Sequence, residues 1–179
     1  GFGGLSEFIT VSENLCFSIP DDISDEKAAS LLIAYGSTEL ALNYKAKLKS
    51  DETLLVLGAA GGVGLSAVQI GKAMGANVVA VARGREKCKL TQLMGANLTF
   101  DSESVNLRRD LKTLDKIDVI YDPVGGDQFQ VALAAAKPET RILPIGFASG
   151  EVPQIPANIV MVKNIAIIGF YIGTYRTLN

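Results

Sequence analysis

The sequence predicts an α/β fold: a parallel, doubly wound sheet covered by helices on both faces. Three observations carry that expectation. From Thr53 onward, short apolar runs alternate with stretches of helical periodicity. The apolar runs are continuous rather than alternating, as in strands buried on both faces. The connections between them are short, which specifies right-handed βαβ crossovers and a parallel sheet.

Before Thr53 no repeating pattern holds. Leu5 to Val11 carries Phe8, Ile9, Thr10 and Val11 and reads as a short strand, and Pro20 closes the extended segment. Ser24 stands as the N-cap of a helix through Ala28, Ala29, Leu31 and Leu32. A second helix is expected from about Ser37 to Lys47, with Leu40, Ala41 and Tyr44 at helical spacing. Then the alternation begins. Thr53 to Leu57 is a strand, Val63 to Met74 a helix capped at Gly75, Asn77 to Ala82 a strand, and Arg85 to Met94 a helix stopped at Gly95. Leu98 to Phe100 is a short strand, and a helix near Leu107 to Leu114 leads into a strand at Ile117 to Tyr121. Asp127 to Ala136 is helical, and Arg141 to Ile145 and Ile165 to Ile168 are strands.

Composition narrows the function classes. Lys and Arg total 17 against 19 acidic residues in 179, so no nucleic-acid surface is expected. No apolar run approaches the roughly 20 residues of a membrane span. Histidine is absent, which removes the usual general base and the commonest zinc ligand. Cys16 and Cys88 are too few for a tetrahedral zinc site and read as separate thiols. No metal site is expected. Gly1-Phe2-Gly3-Gly4 has neither an initiating Met nor a basic leader, so the chain reads as part of a longer protein.

In parallel sheets of this kind ligands bind beyond the C-terminal strand ends. That points to the turns at 58–63, 82–84, 122–126 and 146–148. The first contains Ala59-Ala60-Gly61-Gly62-Val63-Gly64, between an apolar strand and a helix. Gly61 lets backbone approach a pyrophosphate, Gly64 lets helix and strand pack closely, and the helix N-terminus favours the anion. Ala59 replaces the first glycine of the common fingerprint. A tight turn without a ligand is the alternative. NAD-preferring domains place an acid about 20 residues on, yet none occurs from Leu65 to Arg85. Arg83 and Lys87 offer charge to a 2′-phosphate instead, so NADP(H) is the expected cofactor. A merely solvated basic helix start is the plainer reading of those two residues.

The ordered set Ala34-Tyr35-Gly36-Ser37, Gly58 to Gly64, Glu86 to Leu90, Gly95-Ala96, Asp122 to Asp127 and Gly146-Phe147-Ala148 resembles the zinc-independent quinone oxidoreductase branch of the medium-chain dehydrogenase/reductase family. The resemblance implies a Rossmann domain over residues 21–179, preceded at 1–20 by the tail of a GroES-like β domain. It also implies that Gly61, Gly62, Val63 and Gly64 hold the pyrophosphate, with Arg83, Gly84 and Lys87 around the 2′-phosphate. Ser37 stands where the family has Thr beside the nicotinamide, and Gly126, Gly146, Phe147, Phe170 and Tyr171 match loops lining the cofactor. Ser102 replaces a tyrosine near the adenosine, which puts contact there in doubt.

The implied reaction is hydride transfer from NADPH to a quinone or conjugated carbonyl, in a cytoplasmic or mitochondrial enzyme. An enoyl-thioester reductase and a non-catalytic NADPH sensor are the rivals. Tyr35 and Tyr171 are acid candidates by residue type only, and no catalytic residue is assigned. Val160 to Val162 and Ile165 to Tyr171 are apolar enough for ordinary core or for an exposed sheet edge. The resemblance favours a homodimer through that last strand.

Overall fold

The computed structural model describes residues 4–175. It divides into two compact units, one ending at Leu32 and one beginning at Ile33. In the first, the expected strand at Leu5 to Val11 does not form; no partner strand pairs with it among the described residues. An unpaired extended segment gains no ladder bonds. Phe8 is accordingly 90% exposed, and among the described residues before the first helix the only regular structure is a 3₁₀ turn at Glu13–Leu15.

Helix α1 spans Asp25–Glu39 and merges into a π turn at Leu40–Lys45. Two separate helices were the expectation from sequence. Gly36 was not enough to interrupt them, since a single interior glycine costs only about 1 kcal/mol.

The second unit carries one six-stranded parallel sheet, in the order β3-β2-β1-β4-β5-β6. The strands are β1 (Thr53–Val56), β2 (Asn77–Ala82), β3 (Leu98–Asp101), β4 (Val119–Asp122), β5 (Arg141–Pro144) and β6 (Ala166–Ile167). The helices between them are α2 (Gly62–Ala73), α3 (Gly84–Leu93), α4 (Leu107–Lys112), α5 (Gly126–Ala135) and α6 (Ala157–Val162), with a last turn α7 at Ile172–Tyr175. This is the Rossmann order, reversing direction between β1 and β4.

Leu54, Leu55 and Val56 of β1 are wholly buried, because the central strand faces helices on both sides. Side chains alternate between two clusters. Leu54, Val56, Val78 and Tyr121 pack with Ala67 and Val68 of α2 and with Ala41 and Leu42. Leu55, Val79 and Ile120 pack with Leu111 of α4 and Phe129 of α5. Each large buried side chain contributes roughly 1.5–3 kcal/mol by leaving water.

Three polar clamps complete the unit. Thr38 Oγ1 lies 2.7 Å from the carbonyl of Ala34, 2.7 Å from Ser66 Oγ and 2.8 Å from the Tyr121 hydroxyl. Arg141 donates to the Ala46 carbonyl at 2.5 Å and pairs with Glu52 at 2.6 Å, tying β5 to the loop before β1. Lys163 donates to the carbonyls of Leu133, Ala134 and Ala136, satisfying the C-terminus of α5.

Val160 to Val162 lies in α6, after Pro156 at its N-cap, and not on the sheet edge. Proline fixes a φ compatible with a helix start and supplies the break that the apolar pattern hid. The edge strand itself is β6, only two residues long.

Candidate cofactor site

Parallel pairing brings all the C-terminal strand ends to one side, and the turns after β1 to β5 meet in a cleft of about 470 Å³. Gly58, Ala60 and Gly61 form its floor, Arg83, Lys87 and Ser102 belong to one wall, and Val124, Gly125, Asp127 and Gln128 to another. Ala148, Ser149 and Glu151 after β5 close the remaining side.

The floor is built from backbone. Gly61 is the N-cap of α2, with φ −77° and ψ 164° and no side-chain cap. The first amides of a helix have no intrahelical acceptor, so here they remain available to an anion, aided by the helix dipole. Gly64 is required by a close approach. A Cβ built there would lie 2.2 Å from the Gly58 carbonyl oxygen and 2.8 Å from Ala59 Cα. Gly62, two positions earlier, has nothing within 4 Å of a Cβ. The turn therefore packs against its own helix at Gly64, would admit only an ordinary contact at Gly61, 3.4 Å from the Gly58 oxygen, and stays open at Gly62.

On the wall after β2, Arg83 is the N-cap of α3 and Gly84 its first residue. The Gly84 N–H donates to Asp101 Oδ1 at 2.9 Å, and Glu103 N–H donates to the same oxygen at 3.0 Å. These two bonds hold the Asp101 carboxyl below its usual range. Arg83 Nε lies 3.9 Å from Glu103, with both side chains mostly exposed. Such a pair is worth at most about 1 kcal/mol, so an incoming dianion can displace it. Lys87 makes no salt bridge among the described residues. Cys88 sits behind this wall, donating to the carbonyls of Ala82 and Phe100, and burial raises its thiol pKa.

The opposite wall is fixed by Asp122. Its Oδ1 accepts from the N–H groups of Val124 at 2.8 Å and Gly125 at 3.0 Å. Burial pushes this carboxyl up, and the two amide bonds oppose the shift. Gly125 sits at φ +72°, where a Cβ would also meet the Glu151 carbonyl at 2.7 Å. Gln128 Oε1 is buried and has no hydrogen-bond partner among the described residues.

Of the positions expected from sequence, Gly61, Arg83, Lys87 and Ser102 line this cleft. Gly62, Val63, Gly64 and Gly84 form the first turns of the two helices that rim it, and Gly126 starts α5. Gly146 accompanies Ile145 in donating to the Asp122 carbonyl, and Phe147 follows, 46% exposed. Ser37, Phe170 and Tyr171 do not line it. Ser37 is buried on α1, Phe170 stacks on Tyr175 at 5.7 Å, and Tyr171 is 73% exposed. The Tyr35 hydroxyl donates to Gln69 Oε1.

Reading along the chain missed Asp101, Glu103 and Gln128. The first two come from the end of the neighbouring strand and the turn after it: Ala82 and Asp101 are partners across β2 and β3. Pairing β3 with β2 in parallel would have brought them to light. Among the described residues no cluster of three His, Cys, Asp or Glu side chains could hold a metal ion.

These features fit a dinucleotide. The floor has free helix-terminal amides and no side chain larger than the Ala60 methyl, one wall has two cations, and the other has an unsatisfied acceptor.

Comparison with known proteins agrees with the architecture. A family model described as zinc-binding dehydrogenase matches residues 62–179. The chain is 38% identical to a quinone oxidoreductase-like protein 2 homolog of Nematostella vectensis, over 97% of the chain and 48% of that protein. It is 33% identical to an acryloyl-coenzyme A reductase of Metallosphaera sedula, over 97% of the chain and 51% of that protein. The quinone oxidoreductase of Thermus thermophilus, solved alone and with NADPH, superposes with a TM-score of 0.80 at 28% identity, over 90% of this chain and 52% of that one. The chain thus spans about half the length of the curated relatives it matches.

Proposed function

The chain belongs to the zinc-binding dehydrogenase family of medium-chain dehydrogenase/reductases, in its quinone oxidoreductase-like branch, and from that premise we propose that it is the NADP(H)-holding domain of an oxidoreductase that reduces a quinone or conjugated carbonyl. One observation carries the cofactor reading: a cleft whose floor is the helix-terminal turn at Gly61 has Arg83 and Lys87 on the β2 wall. The NADPH complex of the Thermus relative supports the same reading.

The first-turn amides of α2 hold the pyrophosphate, where their partial positive charge acts without a side chain. Arg83 and Lys87 hold the 2′-phosphate through charge-assisted hydrogen bonds. NADPH, when bound, supplies the hydride. Asp122 keeps the facing turn in shape by binding its amides, and the Ser37 hydroxyl, one residue before the Thr38 hub, is assigned to the nicotinamide end. No residue of this chain is assigned as proton donor. Residues 1–20 are read as the tail of a preceding β domain, and 21–179 as the cofactor domain. The edge strand β6, flanked by exposed Met161 and Val162, is the surface for a second copy. Light scattering that finds only monomer removes that assignment.

The test is titration with NADPH and NADH, on the protein and on Arg83→Asp. NADPH binds more tightly to the parent. The substitution weakens NADPH by roughly 10–100-fold, the worth of one charge-assisted contact, and leaves NADH little changed. Equal affinities that the substitution does not move refute the assignment. The acryloyl-coenzyme A reductase relative favours a second reading, an enoyl-thioester reductase. NADPH oxidation that proceeds with crotonyl thioesters and not with quinones decides for it.

A further inference from the structure

Gln128 is the third residue of α5 and lines the cleft, yet its side-chain oxygen is buried without a hydrogen-bond partner among the described residues. Buried amide oxygens are nearly always paired, since leaving one unpaired forfeits its bonds to water. Gln128 lines the same space as Arg83, Lys87 and Ser102. We propose that the Gln128 amide is the reader of the adenine base of the bound dinucleotide, accepting a hydrogen bond from the 6-amino group. This rests on the cofactor reading above.

Location and chemistry agree. In NADP the 2′-phosphate and the adenine are carried on adjacent carbons of one ribose. A 2′-phosphate held by Arg83 and Lys87 therefore leaves the base inside the cleft, between the β2 wall and the α5 wall. The adenine edge presents an amino donor beside a ring-nitrogen acceptor. A primary amide presents the matching acceptor and donor in one plane, which is why Asn and Gln pair with adenine. The other α5 side chain on the cleft, Asp127, is exposed and already solvated. On binding, the amide turns to meet the base. The arriving amino group then supplies the bond that the protein leaves unmade.

The experiment compares NADPH with its reduced hypoxanthine analogue, which keeps both riboses and all phosphates but replaces the amino donor by a carbonyl. Fluorescence titration of the protein is expected to show about tenfold tighter binding of NADPH, the discrimination typical of one such contact. In Gln128→Met the preference falls to within about twofold, while the thermal midpoint of the unliganded protein stays level or rises. Gln128→Glu, which keeps the length and the acceptor, retains the preference and serves if the Met variant does not fold. Equal binding of the two dinucleotides by the parent, or an undiminished preference in Gln128→Met, overturns the adenine assignment and leaves the cofactor reading standing. Failure of the parent to bind either dinucleotide overturns both.

Discussion

Replacing Gly64 by alanine tests whether the phosphate turn is as tight as its geometry requires. The added Cβ would stand 2.2 Å from the Gly58 oxygen, 2.8 Å from the Gly58 carbonyl carbon and 2.8 Å from Ala59 Cα. All three are backbone atoms, so no side-chain rotation relieves the contact. A carbon and a carbonyl oxygen come no closer than about 3.3 Å in ordinary packing, so the first turn of α2 must retreat by about 1 Å. Overpacking of this kind costs roughly 1–3 kcal/mol, and a clash between backbones belongs at the upper end. The retreat also moves the amides that face the cleft. Gly62→Ala is the internal control, with open space around its Cβ and no positive φ. Being helical, it gains up to about 1 kcal/mol from alanine's propensity. Urea unfolding of the two variants should give midpoints on opposite sides of the parent, or at least Gly64→Ala alone shifted down, with m unchanged. NADPH affinity should fall in Gly64→Ala. Two variants that unfold together within about 0.5 kcal/mol of the parent would refute the close-approach argument.

Tyr121 should impose a pH dependence at the alkaline end. Burial pushes its hydroxyl up to about 12, against a hydrogen bond to Thr38 that lowers it. The unfolded chain therefore loses this proton first. Stability is full below the unfolded value near 10 and falls as pH rises toward 12, by a total on the order of 2–3 kcal/mol. Unfolding measured across that window should flatten in Tyr121→Phe, and an unaltered slope would assign the loss elsewhere. Arg141→Met should cost about 2–3 kcal/mol, because it leaves the Ala46 carbonyl without its partner and Glu52 with only the Lys49 N–H, in a site only about a fifth exposed. Combining it with Glu52→Gln should recover part of that loss in a double-mutant cycle, and strict additivity would show that the pair does not couple.

The sheet was legible because its strands are buried on both faces, so their apolar runs needed no tertiary context. Thr53, Asn77 and Arg141 open their strands as the sequence reading placed them. The cleft floor was legible for a related reason: Gly61 and Gly64 mark a local constraint between adjacent elements. The region before Thr53 was not. Phe8 and Ile9 have strand propensity, but a strand needs a partner, and propensity does not supply one. Val160 to Val162 stayed open between core and sheet edge because a short apolar run reads equally as helix or strand, and Pro156 was the deciding residue. Asp101 and Gln128 were invisible for a third reason. Their importance comes from what the strand order sets beside them, which no local pattern encodes.

The backbone floor at Gly58 to Gly64 bears on how such a site can change over evolutionary time. Contacts made by main-chain amides cannot be retuned one side chain at a time; substitutions either preserve them or destroy the turn. Heritable variation in what the site accepts is therefore channelled to the walls, where Arg83 and Lys87 at the start of α3, Ser102 after β3 and Gln128 on α5 can be exchanged singly. The floor is inherited whole, and the walls are where lineages can diverge.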